Sequence, residues 1–125
     1  MTTKDVDFFG KTRGHIQELH NEVSVLSKGK PDAPINKFKL GFINEKLRET
    51  NTLLKGAFKP FEKFETFDED ALPTNSDVVM VLAQYLDCLE SWRCANIHTD
   101  DFNWYWKVDG VSIETERPTR YRKAT

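Results

Sequence analysis

"NSDVVMVLAQYLDCLESWRC", residues 75–94, carries apolar side chains over most of a helical circumference. Val78, Val79, Val81, Leu82, Tyr85, Leu86, Leu89 and Trp92 recur at spacings of one, three and four. A helix apolar over so broad an arc is covered by neighbours on two sides. The stretch therefore reads as the spine of a helical bundle. Asn75 or Ser76 is the expected N-cap, with Asp77 in the first turn, where the helix dipole favours an anion.

Two further helices are predicted upstream. The first spans about Lys4 to Lys28, with Thr3 as cap and Asp5 early in the helix. Phe9, Ile16, Leu19, Val23 and Leu26 form its buried stripe. Gly10 and Gly14 interrupt it, either to admit a close neighbour or to delay the start to about His15. Gly29 and Pro31 end it. The second begins after Asn36, a predicted N-cap, with Ile35 and Leu40 placed to form a hydrophobic staple. Leu40, Ile43, Leu47 and Leu54 define its inner face, which Thr50 continues. Gly56 and Pro60 stop it.

Between the second helix and the spine lies AFKPFEKFETFDEDALP, residues 57–73, in which Phe58, Phe61, Phe64 and Phe67 fall at every third position. That period suits neither an α-helix nor a strand, but it aligns side chains along one edge of an extended chain. Residues 58–73 are therefore expected to form an irregular crossover with at most a short helical turn. Its phenylalanines should fall on the bundle while Glu62, Glu65, Asp68, Glu69 and Asp70 face water. The rival reading is a docking ledge, in which some of the four aromatics remain available to a partner's groove.

The last third changes period. NWYWKVDGVSIET, residues 103–115, places Asp109-Gly110 between two alternating runs, a hairpin signal. A two-residue type I′ turn would set Val108 opposite Val111, Trp106 opposite Ile113 and Trp104 opposite Thr115. A lone hairpin is marginal in water, so its apolar face should cover the bundle. The expected architecture is mainly α: a small bundle of about three principal helices, an irregular aromatic crossover and a C-terminal β-hairpin packed on the bundle. Residues 1–116 form one domain in this reading, and residues 117–125 a basic flexible tail.

Composition limits the function. The chain has 125 residues and a formal net charge of -2, so no global charge draws it to nucleic acid or to an anionic membrane. The longest apolar run, VVMVLA, is far short of a membrane span, and the opening stretch MTTKDVDFFGKTRG lacks a secretion signal's apolar core. Two cysteines, Cys88 and Cys94, lie on different faces of the spine, so no disulfide framework or zinc signature exists. These features lead to the expectation of a cytoplasmic protein with no cofactor and no metal. Charge is segregated: residues 28–59 hold eight Lys or Arg against Asp32, Glu45 and Glu49, whereas residues 60–103 hold ten Asp or Glu against Lys63 and Arg93. Such a division suits self-complementary pairing as well as a foreign partner.

Candidate chemistry is sparse. Glu18 with Glu22, Glu45 with Glu49, and Asp87 with Glu90 could form a carboxylate cage. The helical wheel turns Glu45 and Glu49 outward and leaves Glu18 and Glu22 flanking the stripe, so solvated charge pairs are the reading. His20 sits at the edge of the first helix's stripe and is read as a satisfied core-edge histidine. Arg93 falls on the inner face of the spine and needs a partner, because an unpaired buried charge costs several kcal/mol. Asp68, Asp70 and the hairpin aromatics are the expected candidates, unless the side chain reaches water at the helix end. Trp104 and Trp106 could stack a base or a sugar, but they share a face with Val108 and Ile113, which favours packing on the core.

RCANIH, residues 93–98, resembles the arginine–histidine pair of the HEPN ribonucleases. That resemblance implies a helical bundle, often dimeric, that cleaves RNA without metal. It covers six residues, and Cys94 stands where that family commonly has a polar residue. The function expected from the chain as a whole is a non-catalytic protein–protein interaction or regulatory module, with Phe58, Phe61, Phe64, Phe67, Trp104 and Trp106 as candidate binding residues. A protein partner or a second copy is the expected occupant. The alternatives are a ribonuclease or nucleotide hydrolase using Arg93 and His98, with His20 as a further candidate, and nucleic-acid binding through the second helix and the tail.

Overall fold

Each α-helix starts at a side-chain cap. The computed structural model describes residues 1–119, in which α1 spans Thr3–Gly29, α2 Lys37–Leu53 and α3 Asn75–Ala95, followed by strands β1 Ile97–Thr99, β2 Trp104–Trp106 and β3 Glu114–Thr115. The cap of α1 is Thr2 rather than Thr3: its hydroxyl accepts from the Asp5 amide while the Asp5 carboxylate accepts from the Thr2 amide, a reciprocal capping box. Those bonds hold the Asp5 carboxyl below its ordinary range. The cap of α3 is Thr74 rather than Asn75 or Ser76, and its hydroxyl accepts from Asp77 N. Asn36 caps α2 as predicted, accepting from Phe38 N and Lys39 N. Ile35 and Leu40 are both buried, as a staple requires.

Gly10 and Gly14 neither break α1 nor admit a close neighbour. The helix runs through both, and a Cβ at either would meet nothing within 4 Å. The capping box and the buried Phe9, Thr12, Ile16 and Val23 outweigh the roughly 1 kcal/mol that each glycine costs. Leu26, the last member of the predicted stripe, is not buried and keeps 36% of its surface exposed.

One core joins all three helices: Phe9, Ile16 and Val23 from α1, Leu40, Ile43 and Leu47 from α2, and Val78, Leu82, Tyr85 and Leu89 from α3. Burial of each such side chain gains on the order of 1.5–3 kcal/mol. The broad face of α3 is buried as its sequence indicates. α1, however, is the helix that packs along both others, most closely along α3. Side chains bridge α3 to α2, with the Tyr85 hydroxyl donating to Asn51 Oδ1 at 2.7 Å. The loops clasp as well: Ile35 N donates to Pro73 O at 2.8 Å, Asn75 N to Ala33 O at 2.9 Å, and the buried Asn75 amide to Lys30 O at 2.9 Å. This pins the start of α3 to the α1–α2 turn.

The crossover between α2 and α3 is irregular, with a single 3₁₀ turn at Gly56–Phe58 that opens on Gly56 at a φ of 61°. Phe58, Phe61, Phe64 and Phe67 are all half-buried against the core. Phe61–Phe64 and Phe64–Phe67 make edge contacts at 5.8 and 5.1 Å. Glu62, Glu65, Asp68, Glu69 and Asp70 are exposed. Asn44 holds the strap by both ends of its amide, donating to Phe67 O and accepting from Phe67 N, each at 2.9 Å.

The C-terminal sheet has three strands in the order β1-β2-β3, both pairs antiparallel, rather than a lone hairpin. The expected register holds, with Trp104 opposite Thr115 and Trp106 N bonded to Ile113 O at 2.9 Å. The turn is not type I′. Gly110 has a φ of 74°, but no residue other than glycine has positive φ among the described residues, and type I′ demands it of Asp109 as well. Val108 N instead turns back to Trp106 O at 2.9 Å, which ends the pairing and leaves a wider loop. β1 supplies a partner on the other side of β2, with Ile97 opposite Trp106. Trp106 packs the sheet onto the bundle, 5.1 Å from the Phe9 ring and 6.0 Å from Trp92 between ring centroids.

Candidate functional site

Arg93 is fully buried, at 0% exposure, on the last turn of α3. Its Nε donates to Glu90 Oε1 at 2.8 Å and its Nη2 approaches the same oxygen at 2.6 Å. Nη1 donates to Thr115 Oγ1 at 3.1 Å and Glu116 O at 2.7 Å, and Nη2 to Arg117 O at 3.2 Å. A guanidinium has five N–H donors, and the five contacts made here fall on four acceptor atoms, Glu90 Oε1 being met twice. The partners are therefore a carboxylate one turn back on the same helix and the backbone of the C-terminal segment, not Asp68, Asp70 or an aromatic face. Arg117, where a flexible tail was expected to begin, is held by this clamp through its carbonyl. Residues 120–125 of that tail lie outside the described residues.

His98 lies on β1 and is exposed, its ring 6.0 Å from that of Tyr105. The geometry does not bring Arg93 and His98 to one cleft, since the guanidinium is directed to Glu90, the Thr115 hydroxyl and the C-terminal backbone. His20 is half-buried at the core edge, but its Nδ1 is buried without a hydrogen-bond partner. The satisfied histidine expected there is thus corrected to one with an orphaned nitrogen. The carboxylate pairs are dispersed: Glu22 meets Lys39 at 2.6 Å, Glu49 meets Lys46 at 3.4 Å and Glu90 meets Arg93. Among the described residues no group of three or more His, Cys, Asp or Glu is placed to hold a metal ion. Burial pushes the Cys88 and Cys94 thiols up from their ordinary range, which lowers the thiolate fraction that nucleophilic chemistry requires.

The expected binding aromatics are mostly engaged. The four strap phenylalanines pack on the core, and Phe64 also meets the rings of Phe61 and Phe67. Trp106 is buried, and Trp104 is half-buried against the core cluster. Apolar surface remains open at Phe102 of the β1–β2 loop, 91% exposed, and at a pair of aromatics on α2. Phe38 is 74% exposed and Phe42 49% exposed, their rings in edge contact at 5.0 Å. They stand one turn apart on the rim of a groove of about 390 Å³ between α1 and α2. Leu19, Val23 and Ile43 line its apolar floor. Glu18 and Glu22 rise from the α1 wall, and Lys39 and Lys46 from the α2 wall. Lys39 and Glu22 close one end with their ion pair.

Sequence reasoning missed this site. Phe42 sits about 100° around α2 from Ile43, and Phe38 lies nearly in line with Phe42, so neither belongs to the buried stripe. Two large aromatics at four-residue spacing off the inner face were the available signal. Comparison with known proteins finds no family model, no curated protein and no solved structure that matches the chain.

Proposed function

We propose that the protein is a non-catalytic interaction module that docks a protein partner on the α1–α2 groove. The observation that carries this reading is the exposed Phe38–Phe42 pair over an apolar floor. Two adjacent exposed phenylalanines beside an apolar groove are an aggregation liability on a free domain and a ready anchor at an interface. The strap and the hairpin, the surfaces first expected to bind, serve the fold in this reading. The setting we propose is cytoplasmic, because both cysteines are free thiols and the sequence holds no disulfide framework. The ribonuclease or nucleotide-hydrolase alternative using Arg93 and His98 is not favoured, since the Arg93 donors are already taken. Nucleic-acid binding through α2 is weakened by the carboxylates that already pair Lys39 and Lys46.

In-cell photo-crosslinking tests the proposal. A benzophenone amino acid replaces Phe38 in the full chain, and a control carries it at Met80, an exposed residue of α3. A discrete adduct of higher mass from position 38 and not from position 80 is the expected result. No adduct at position 38, or equal labelling at both positions, would remove the groove as a docking site.

A further inference from the structure

The groove has a charge pattern that selects its occupant. Its α1 wall is acidic, with Glu18 and Glu22, and its α2 wall is basic, with Lys39 and Lys46. The walls cancel, so the groove offers no net charge to choose a foreign acidic or basic segment. It is instead complementary to itself. α1 and α2 run antiparallel across a short turn, with Glu22 of one beside Lys39 of the other. Two copies facing each other across this surface have two ways to obey two-fold symmetry. An axis perpendicular to the helices would lay α1 on α1 and α2 on α2, acid against acid and base against base. An axis parallel to the helices lays α1 of each copy on α2 of the other, so both contacts set carboxylates against ammonium groups, with Lys39 and Lys46 shared between their intrachain partners Glu22 and Glu49 and the facing copy. The second arrangement also brings the Phe38–Phe42 pairs of both copies into the shared space, covering the two aromatics that each leaves exposed on this face.

We infer that the occupant of the α1–α2 groove is a second copy of this chain, docked with α1 over the partner's α2 to form a four-helix bundle across the two-fold axis. The inference rests on the groove being a docking site and adds the identity of the partner and the direction of the axis. Sedimentation of the full chain at about 100 µM, above the Kd of a modest interface, reads it directly. Wild type should sediment as a dimer. Phe38→Ser, a change at a solvent-facing position that leaves the core intact, should shift it to monomer. Glu18→Lys and Lys46→Glu, made separately, should each weaken the dimer at least about tenfold. Mixing the two variants should restore it, because opposite charges then meet at both contacts. A monomeric wild type, or a dimer indifferent to Phe38→Ser and to the charge swap, would overturn the inference. The crosslink at position 38 keeps the two ideas apart. An adduct to a different protein from a monomeric chain would discard the second copy and retain the docking site, whereas no adduct at all would discard both.

Discussion

Arg93 shows how one side chain can join distant parts of a chain. Three of its hydrogen bonds tie α3 to Thr115, Glu116 and Arg117, more than twenty residues away. Arg93→Ala would leave the half-buried Glu90 carboxylate and two backbone carbonyls without their partner. The expected loss is about 3–5 kcal/mol in urea unfolding, with faster hydrogen exchange around Thr115. Arg93→Lys should not restore stability, because an ammonium has three donors and no planar fork. Tyr85 carries a pH signature. Burial raises its phenol to about 12 in the folded state. The unfolded chain releases this proton near its ordinary value of 10.0. Between the two values the unfolded state binds fewer protons than the native one, so stability falls as pH rises. Alkaline titration followed by circular dichroism should show that fall, and Tyr85→Phe should reduce it while costing about 1 kcal/mol at neutral pH.

The aromatic strap is an element without regular backbone bonding, so side chains must fasten it. Asn44 does so by pairing with the amide and the carbonyl of Phe67, a substitute for a strand contact. Asn51 adds a bond to Glu65 O at 2.8 Å and receives the Tyr85 hydroxyl, which couples strap, α2 and α3. Asn44→Ala should cost about 1–3 kcal/mol and release the Phe67 amide to exchange. Asn44→Asp should be at least as damaging, because it keeps the acceptor, loses the donor and sets a buried carboxylate against the Phe67 carbonyl. The same dependence on side chains explains the sheet. Its strands are only two or three residues long, and Trp106 stabilises them through Phe9 and Trp92 rather than through an extended ladder. β1 was illegible for that reason: three residues are too few for an alternating pattern, and Ile97 is a strand residue because Trp106 lies opposite it.

For the whole molecule, the exposed Phe38–Phe42 pair separates folding from association. Phe38→Ser should change unfolding stability by no more than about 0.5 kcal/mol, as measured in urea on the dissociated chain, because the side chain is outside the core. Its effect should fall on assembly instead. The three helices, the staple at Ile35 and Leu40, the strap's inward phenylalanines and the register of Trp104 against Thr115 were all readable along the chain. Each is a local pattern of spacing, capping or alternation, and local sterics and solvent exclusion act on such patterns directly. The partners of Arg93, the orphaned nitrogen of His20, the capture of Phe67 by Asn44 and the groove beneath Phe38 were not readable. They depend on which segments meet after the chain has turned back on itself, and residues far apart in sequence carry no mark of one another until a shared core brings them into contact.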